Sequence, residues 1–204
     1  DTLHNINLTI KPGERLALLG RNGAGKTTLI KLLCGLFRPT AGNIYLDGEK
    51  LQTFSQKEVF REFSVVFQEI FAFSFPLGAN VCCCEERDED ERRLRGSLEK
   101  AGVWEKVKTL PKGVRTAMNK DLDEEGVSLS GGELQKLMLA RALYKDAPVV
   151  ILDEPTAALD PIAESEMYEK YDELVRGRTA VFISHRLSST RFCDRILFLE
   201  HGRI

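Results

Sequence analysis

Gly20-Arg21-Asn22-Gly23-Ala24-Gly25-Lys26-Thr27-Thr28 is the stretch on which this chain turns. It spells G-x-x-x-x-G-K-T from Gly20 to Thr27. Ahead of it, Arg15-Leu16-Ala17-Leu18-Leu19 is an apolar run of strand length, and behind it Leu29-Ile30-Lys31-Leu32-Leu33 has helical spacing. A strand, a glycine turn and a helix start, in that order, form the context of a phosphate-binding loop. The glycines let successive backbone N–H groups curl round an anion with no Cβ in the way. The positive end of the following helix points to the same place. Lys26 is expected to reach the β- and γ-phosphates of a nucleotide, and the Thr27 hydroxyl to ligate Mg²⁺. The competing reading, a glycine-rich turn with an incidental lysine, leaves the flanking strand and helix as coincidence.

Composition narrows the classes around that motif. The chain has 204 residues, 43% of them apolar and 29% charged, ordinary for a soluble globular domain or a domain with an insert. The net charge of −2 speaks against a general nucleic-acid or membrane-surface binder. No apolar run approaches the ~18 residues that a membrane-spanning helix needs. The start, Asp1-Thr2-Leu3-His4-Asn5, has neither the basic region nor the apolar core of a signal peptide, and no initiator Met, so the chain is expected to be a piece of a longer protein. Cys34 and Cys193 sit in apolar stretches and read as small core residues. Cys82, Cys83 and Cys84 are consecutive, which is not the spacing of a zinc site, and read as buried thiols of a reducing compartment.

Along the chain, residues 3–10 alternate apolar and polar, which predicts a strand. Gly42-Asn43-Ile44-Tyr45-Leu46-Asp47-Gly48 predicts a short strand entering an Asp-Gly turn. Glu62-Phe63-Ser64-Val65-Val66-Phe67-Gln68 predicts another, ending at polar Gln68. Phe71, Phe73 and Phe75 then alternate ahead of Pro76; by periodicity they suit a buried strand edge and an aromatic partner surface equally. The acidic run 85–91 reads as the solvated start of a helix, with Leu94, Leu98 and Ala101 as its buried stripe and Gly102 as its stop. Trp104 reads as core. Val149-Val150-Ile151-Leu152, Thr179-Ala180-Val181-Phe182-Ile183-Ser184 and Arg195-Ile196-Leu197-Phe198-Leu199-Glu200 are strands of the type covered on both faces. A helix over 161–176 joins the first two in a strand–helix–strand crossover.

Ligands of open parallel sheets sit at the carboxyl ends of the strands. The phosphate loop, Gln68, Asp153-Glu154 and His185 all fall there. A carboxylate closing an apolar strand needs a cation or donors, and Mg²⁺ with its waters suits Asp153. Glu154, one residue on, alternates to the other side of the strand end and is placed to take a proton from a water attacking the γ-phosphate. Leu129-Ser130-Gly131-Gly132-Glu133 leads into 134–143, an amphipathic helix by pattern. Small residues, free N–H groups and the helix dipole make that start a second anion-seeking end, one that can serve a neighbouring molecule's nucleotide.

The ordered set 20–27, Gln68, 129–133, 149–154, Ala158-Leu159-Asp160 and His185 resembles the nucleotide-binding domain of the ATP-binding cassette (ABC) family over nearly the whole chain. The resemblance implies one ABC ATPase domain, 1–204. Its fold would be α/β: a P-loop NTPase core with a mostly parallel sheet, an N-terminal antiparallel β subdomain and an inserted α-helical subdomain. The core would take 1–72 and 146–204, the helical part 73–145. It implies ATP and Mg²⁺ as cofactors, with Gly20, Asn22, Gly23, Ala24, Gly25, Lys26, Thr27 and Thr28 round the phosphates, and Thr27, Gln68 and Asp153 toward the metal. It implies a head-to-tail dimer with a second ABC domain, in which Ser130, Gly131 and Gly132 of one copy close over ATP held by the other. Glu154 would be the general base, His185 the γ-phosphate switch, Asp160 the contact across the dimer and Gln68 the sensor of a transmembrane partner.

Leu110-Pro111-Lys112-Gly113-Val114-Arg115-Thr116 and Ser184-His185-Arg186-Leu187 are similar to stretches of exporter-type members. The resemblance therefore implies an ATPase fused to, or paired with, a transmembrane domain at the cytoplasmic face of the cell membrane, without nucleic acid as a partner, and it tips 69–76 toward a partner surface. Glu133 stands where many members have Gln, and Ala157 where Ser is common. The aromatic residue that stacks adenine in the family would lie upstream of this chain. Two alternatives remain: a soluble ABC ATPase outside transport, which a single cassette without heptads disfavours, and a non-hydrolysing partner of a heterodimer, which Lys26, Glu154 and His185 disfavour.

Overall fold

The computed structural model describes residues 2–84, 90–121, 123–156, 161–184 and 187–204. The chain divides into two compact units: 1–65 with 147–154 and 175–204, and 66–146 with 155–174.

The first unit is organised on a sheet. Strand β1 (Arg15–Leu19) runs straight into the glycine loop, and helix α1 (Lys26–Leu33) leaves it. A two-residue hairpin follows, β2 (Tyr45–Leu46) and β3 (Glu49–Lys50), antiparallel and separate from the main sheet. Its turn residues Asp47 and Gly48 have φ of 50° and 86°, the left-handed pair that a tight hairpin turn demands. Helix α2 (Gln56–Glu62) is closed by a Ser55/Glu58 capping box and hands over to β4 (Phe63–Val66). Three later strands complete the sheet: β5 (Val149–Asp153), β6 (Thr179–Ile183) and β7 (Arg195–Phe198), in the order β4-β5-β6-β1-β7. The β5–β6, β1–β6 and β1–β7 pairs are all parallel. β5 and β6 are the doubly covered strand type that their apolar runs predict, while β7, at the sheet edge, is covered on one face only, with Ile196 and Phe198 exposed. Leu16, Leu18, Val150, Ile151 and Leu152 are all buried. Each such aliphatic side chain contributes about 2 kcal/mol by leaving water.

The expected strand at 3–10 does not form. The segment belongs to neither sheet, although His4 N–H donates to the Gly202 carbonyl at 2.8 Å and Arg195 to the Thr9 carbonyl at 2.6 Å. Alternation shows which residues face inward, but a strand also needs a neighbour supplying a full ladder.

The second unit is helical: α3 (Leu77–Cys82), α4 (Glu91–Ala101), α5 (Trp104–Lys108), α6 (Gly131–Lys145) and α7 (Pro161–Val175, to residue 174). Helix α4 starts on Asp90, whose side chain accepts from Arg93 N–H, and stops at Gly102 with φ 75°. It packs along α6, as does α3. Helix α6 corrects the amphipathic expectation. Leu137, Met138, Leu139 and Ala140 are buried in succession, and steps of about 100° carry four residues round most of a helix. It is the unit's central helix rather than a half-exposed one. Trp104 is half-exposed, with the Arg95 guanidinium 5.2 Å from its ring centre. Of the consecutive cysteines, Cys83 is exposed and Cys82 and Cys84 are partly so, against the expectation of burial. They lie where α3 ends, and Cys83 itself takes the left-handed cap position.

Candidate nucleotide-binding site

The site begins where β1 ends. At Gly20 the chain passes so close to β7's end that a Cβ would lie 2.3 Å from the Leu199 carbonyl oxygen. Only glycine fits there. Gly23 and Gly25 have φ of 80° and 105°, and Gly25 is the N-cap of α1. No side chain caps that helix start, and its first turn holds no acidic residue. The first N–H groups of a helix have no intrahelical acceptor, so an anion is their natural partner.

Lys26 is 6% exposed although charged. Its Nζ donates to the carbonyls of Gly20 at 2.7 Å and Arg21 at 3.1 Å, and lies 3.9 Å from Glu154 Oε1. The loop therefore curls round a buried ammonium. Beside it the Thr27 hydroxyl donates to Asp153 Oδ2 at 3.2 Å. Asp153 is 2% exposed. Burial pushes its carboxyl above the usual range, with Glu154 adding to the rise and the Thr27 hydroxyl and Lys26 opposing it. A buried carboxylate and a hydroxyl on adjacent elements are a donor pair that fits Mg²⁺, a hard cation that keeps most of its shell as water and phosphate oxygen.

Glu154 follows directly on Asp153, the last residue of β5. Its φ is 46°, and its N–H donates to the Ile183 carbonyl at 3.0 Å. A left-handed non-glycine residue costs about 1 kcal/mol, and such strain concentrates at working sites. The turn brings its carboxylate, 9% exposed, toward Lys26 while Asp153 meets Thr27. Both carboxylates thus address consecutive residues of α1.

The chain belongs to the ABC transporter family. The family's profile matches residues 3–157. Among its relatives is the ATP-dependent lipid A-core flippase of Burkholderia pseudomallei (strain 1710b), 40% identical over all of this chain and 33% of the flippase. The protein of the same name from Ralstonia nicotianae is 43% identical over 99% of this chain and 34% of its own length. Among solved structures, a bacterial Atm1-family ABC exporter with ATP bound superposes with a TM-score of 0.87 at 30% identity, covering the whole chain and 35% of the exporter. The chain spans about a third of the length of these relatives. It is an ABC transporter ATPase domain, and nucleotide binding belongs to it.

Within this ABC domain the first unit brings together Gly20, Asn22, Gly23, Ala24, Gly25, Lys26, Thr27, Thr28, Asp153 and Glu154. Gln68, exposed just beyond β4, and Ser130, Gly131 and Gly132, at the start of α6, belong to the second unit. Asp160 and His185 lie outside the described residues. Ser130 caps α6 and is exposed. Its N–H donates to Glu133 Oε2 at 2.8 Å, its hydroxyl to the same oxygen at 2.9 Å, and Glu133 N–H returns to Ser130 Oγ at 3.4 Å. Those bonds, the backbone one first, and Lys106 at 3.3 Å hold the Glu133 carboxyl below its usual range. The S-x-x-E spacing from Ser130 to Glu133 is the sequence signal of this capping box.

Proposed function

We propose that this domain hydrolyses Mg-ATP to drive export by a membrane-spanning part of the same protein. The observation that carries this is the buried Lys26 ammonium, held between loop carbonyls and the Glu154 carboxylate, beside the Thr27–Asp153 pair. In hydrolysis Lys26 and the loop N–H groups stabilise the charge spreading over the γ-phosphate. Glu154 orients the attacking water and accepts its proton. His185 holds the γ-phosphate. Thr27 and Asp153, with Gln68, would hold Mg²⁺, which when bound would supply charge neutralisation at the phosphates.

Ser130, Gly131 and Gly132 of one copy close on the nucleotide of the other, so turnover needs a head-to-tail dimer, and Asp160 reports across it. Phe71, Phe73 and Phe75, at 60%, 51% and 56% exposure, form a contiguous apolar face, Phe71 edge-on to Phe73 and Phe75 tilted against it, that we assign to docking of the membrane-spanning part. The relatives are about three times as long as this chain, and no helix among the described residues is long and apolar enough to cross a membrane. We assign the domain to the cytoplasmic face of the membrane, as the family resemblance implies. Phosphate release from the full-length protein carrying Glu154→Gln tests the assignment. The variant is expected to bind ATP, dimerise and turn over at about 1% of the normal rate or less; normal turnover would remove Glu154 as the base.

A further inference from the structure

The aromatic face is not a free loop, and one buried side chain explains why. Asn80, on α3, is 2% exposed. Its Oδ1 accepts from Phe73 N–H at 2.8 Å, while its Nδ2 donates to the carbonyls of Phe73 at 3.0 Å, Phe75 at 3.2 Å and Pro76 at 3.2 Å. One N–H and three carbonyls therefore converge on a single amide. Only a planar group with an acceptor on one arm and two hydrogens on the other satisfies that set, and of small side chains only asparagine offers it. Aspartate would turn a second oxygen onto three carbonyls. The base of the clasp is itself tied down. Arg141, on α6, donates from Nε to the Asn80 carbonyl at 2.7 Å. On the far side of the loop Asn119 donates from Nδ2 to the Ala72 carbonyl at 3.1 Å, and Met118 N–H to the Phe75 carbonyl at 2.9 Å. Three large apolar rings turned to water would be expected to collapse onto the unit's own surface; a backbone fixed on both sides holds them outward instead, in contact with one another, the Phe71 and Phe73 ring centres 5.0 Å apart and the Phe73 and Phe75 centres 6.2 Å apart.

We propose that Asn80 is the positioning residue of the docking face, fixing the backbone of 73–76 so that Phe71, Phe73 and Phe75 are presented, already ordered, to the membrane-spanning part. This rests on the docking role assigned to that face. Order set in advance lowers the entropy lost on docking, so removing the clasp weakens docking without touching a contact residue. The test uses the full-length protein in lipid vesicles with p-benzoylphenylalanine at position 75. Irradiation, then mass spectrometry, measures its adducts with peptides of the membrane-spanning part.

Asn80→Ala is expected to cut capture about fivefold, the effect of losing one net hydrogen bond's worth of order. Hydrogen exchange should quicken at the amides of 71–76 and stay slow in β1 and α6. Asn80→Asp keeps size and the bond from Phe73 N–H but offers the carbonyls no donor, and is expected to lose capture alike. Capture by both variants equal to that of the Asn80 protein overturns the proposal and leaves the docking face standing. Exchange that quickens equally throughout the domain also overturns it, making Asn80 an ordinary core residue. Absence of capture in the Asn80 protein removes the docking face itself, and the proposal with it.

Discussion

Helices α1 and α6 both start beside a glycine, Gly25 capping the first and Gly131 opening the second, and both starts are sites where family resemblance expects a phosphate. They treat negative charge in opposite ways. Helix α1 is capped by Gly25, with no side chain on its free N–H groups, no acid in its first turn and a buried lysine at its first position. Helix α6 is capped by exposed Ser130, and Glu133, in its first turn, accepts from both the N–H and the hydroxyl of that serine. The first start leaves its donors to an outside anion. The second has taken in a carboxylate of its own, so a phosphate must compete for the Ser130 hydroxyl. Under the proposed function, a polyanion is therefore expected to bind α1 first and to recruit α6 afterwards, as a second copy closes over a nucleotide already held.

The sharpest way to break this comparison is to remove the cation that only one start owns. Lys26→Ala should lower ATP hydrolysis by the full-length protein about a hundredfold or more, the effect of deleting a donor aimed at developing charge. Lys106→Ala, which removes the cation 3.3 Å from Glu133, should lower it by less than about threefold, as expected for an exposed ion pair. Steady-state phosphate release measures both. Equal losses would mean that the two starts share the anion from the outset.

The first start also exacts a stability cost that the second does not, and Asp153→Asn isolates it. Burial is the leading cause of the raised Asp153 pKa. A carboxyl whose folded pKa lies above its unfolded value binds more protons folded than unfolded, so stability falls as pH rises through that window. The Asn variant lacks this charge. In chelator and without nucleotide its melting temperature should exceed that of the parent at pH 7. The gap should close as pH falls through the raised folded pKa, while hydrolysis is lost at every pH. A variant less stable than its parent at pH 7 would show that the Thr27 and Lys26 contacts outweigh desolvation.

How much of this was legible in sequence differs between the two units for physical reasons. The glycine loop, β5 and β6 could be read directly, because strands covered on both faces write themselves as unbroken apolar runs and a phosphate loop needs particular residues at fixed spacing; β7 has the same apolar run but lies at the sheet edge with Ile196 and Phe198 exposed. The backbone turn at Glu154 could not be read, since nothing in the local sequence marks its φ of 46°. Helix α6 misled in another way: Gln135 and Lys136 early in the helix give it the look of an exposed face, while Gln135 is in fact buried and 137–140 are covered all round. The segment 3–10 has a strand's alternation without a ladder partner. Asn80 was invisible, since nothing local to α3 marks an asparagine that serves a loop four to seven residues upstream.

The smallest expected effect lies at the second start, and it bears most directly on the comparison. Glu133→Gln keeps an oxygen that can accept from Ser130, so the cap geometry survives and only the charge goes. Because the Glu133 carboxyl is held below its usual range, chiefly by the Ser130 N–H, its contribution to stability is present above the unfolded pKa and lost as pH falls through the folded one. The group is partly exposed, so the parent should be the more stable at pH 7 by only about 0.5 kcal/mol, with the difference gone in acid. Function should move the other way. Without a carboxylate on the Ser130 hydroxyl, a phosphate meets less competition, and the ATP concentration that half-saturates dimer formation by the full-length Glu154→Gln protein should fall about threefold. Chemical denaturation at two pH values and an ATP titration of dimerisation read the two effects separately. If stability shifts as described while ATP dependence does not, the carboxylate is only a helix cap, and the contrast between the two helix starts has no part in nucleotide capture.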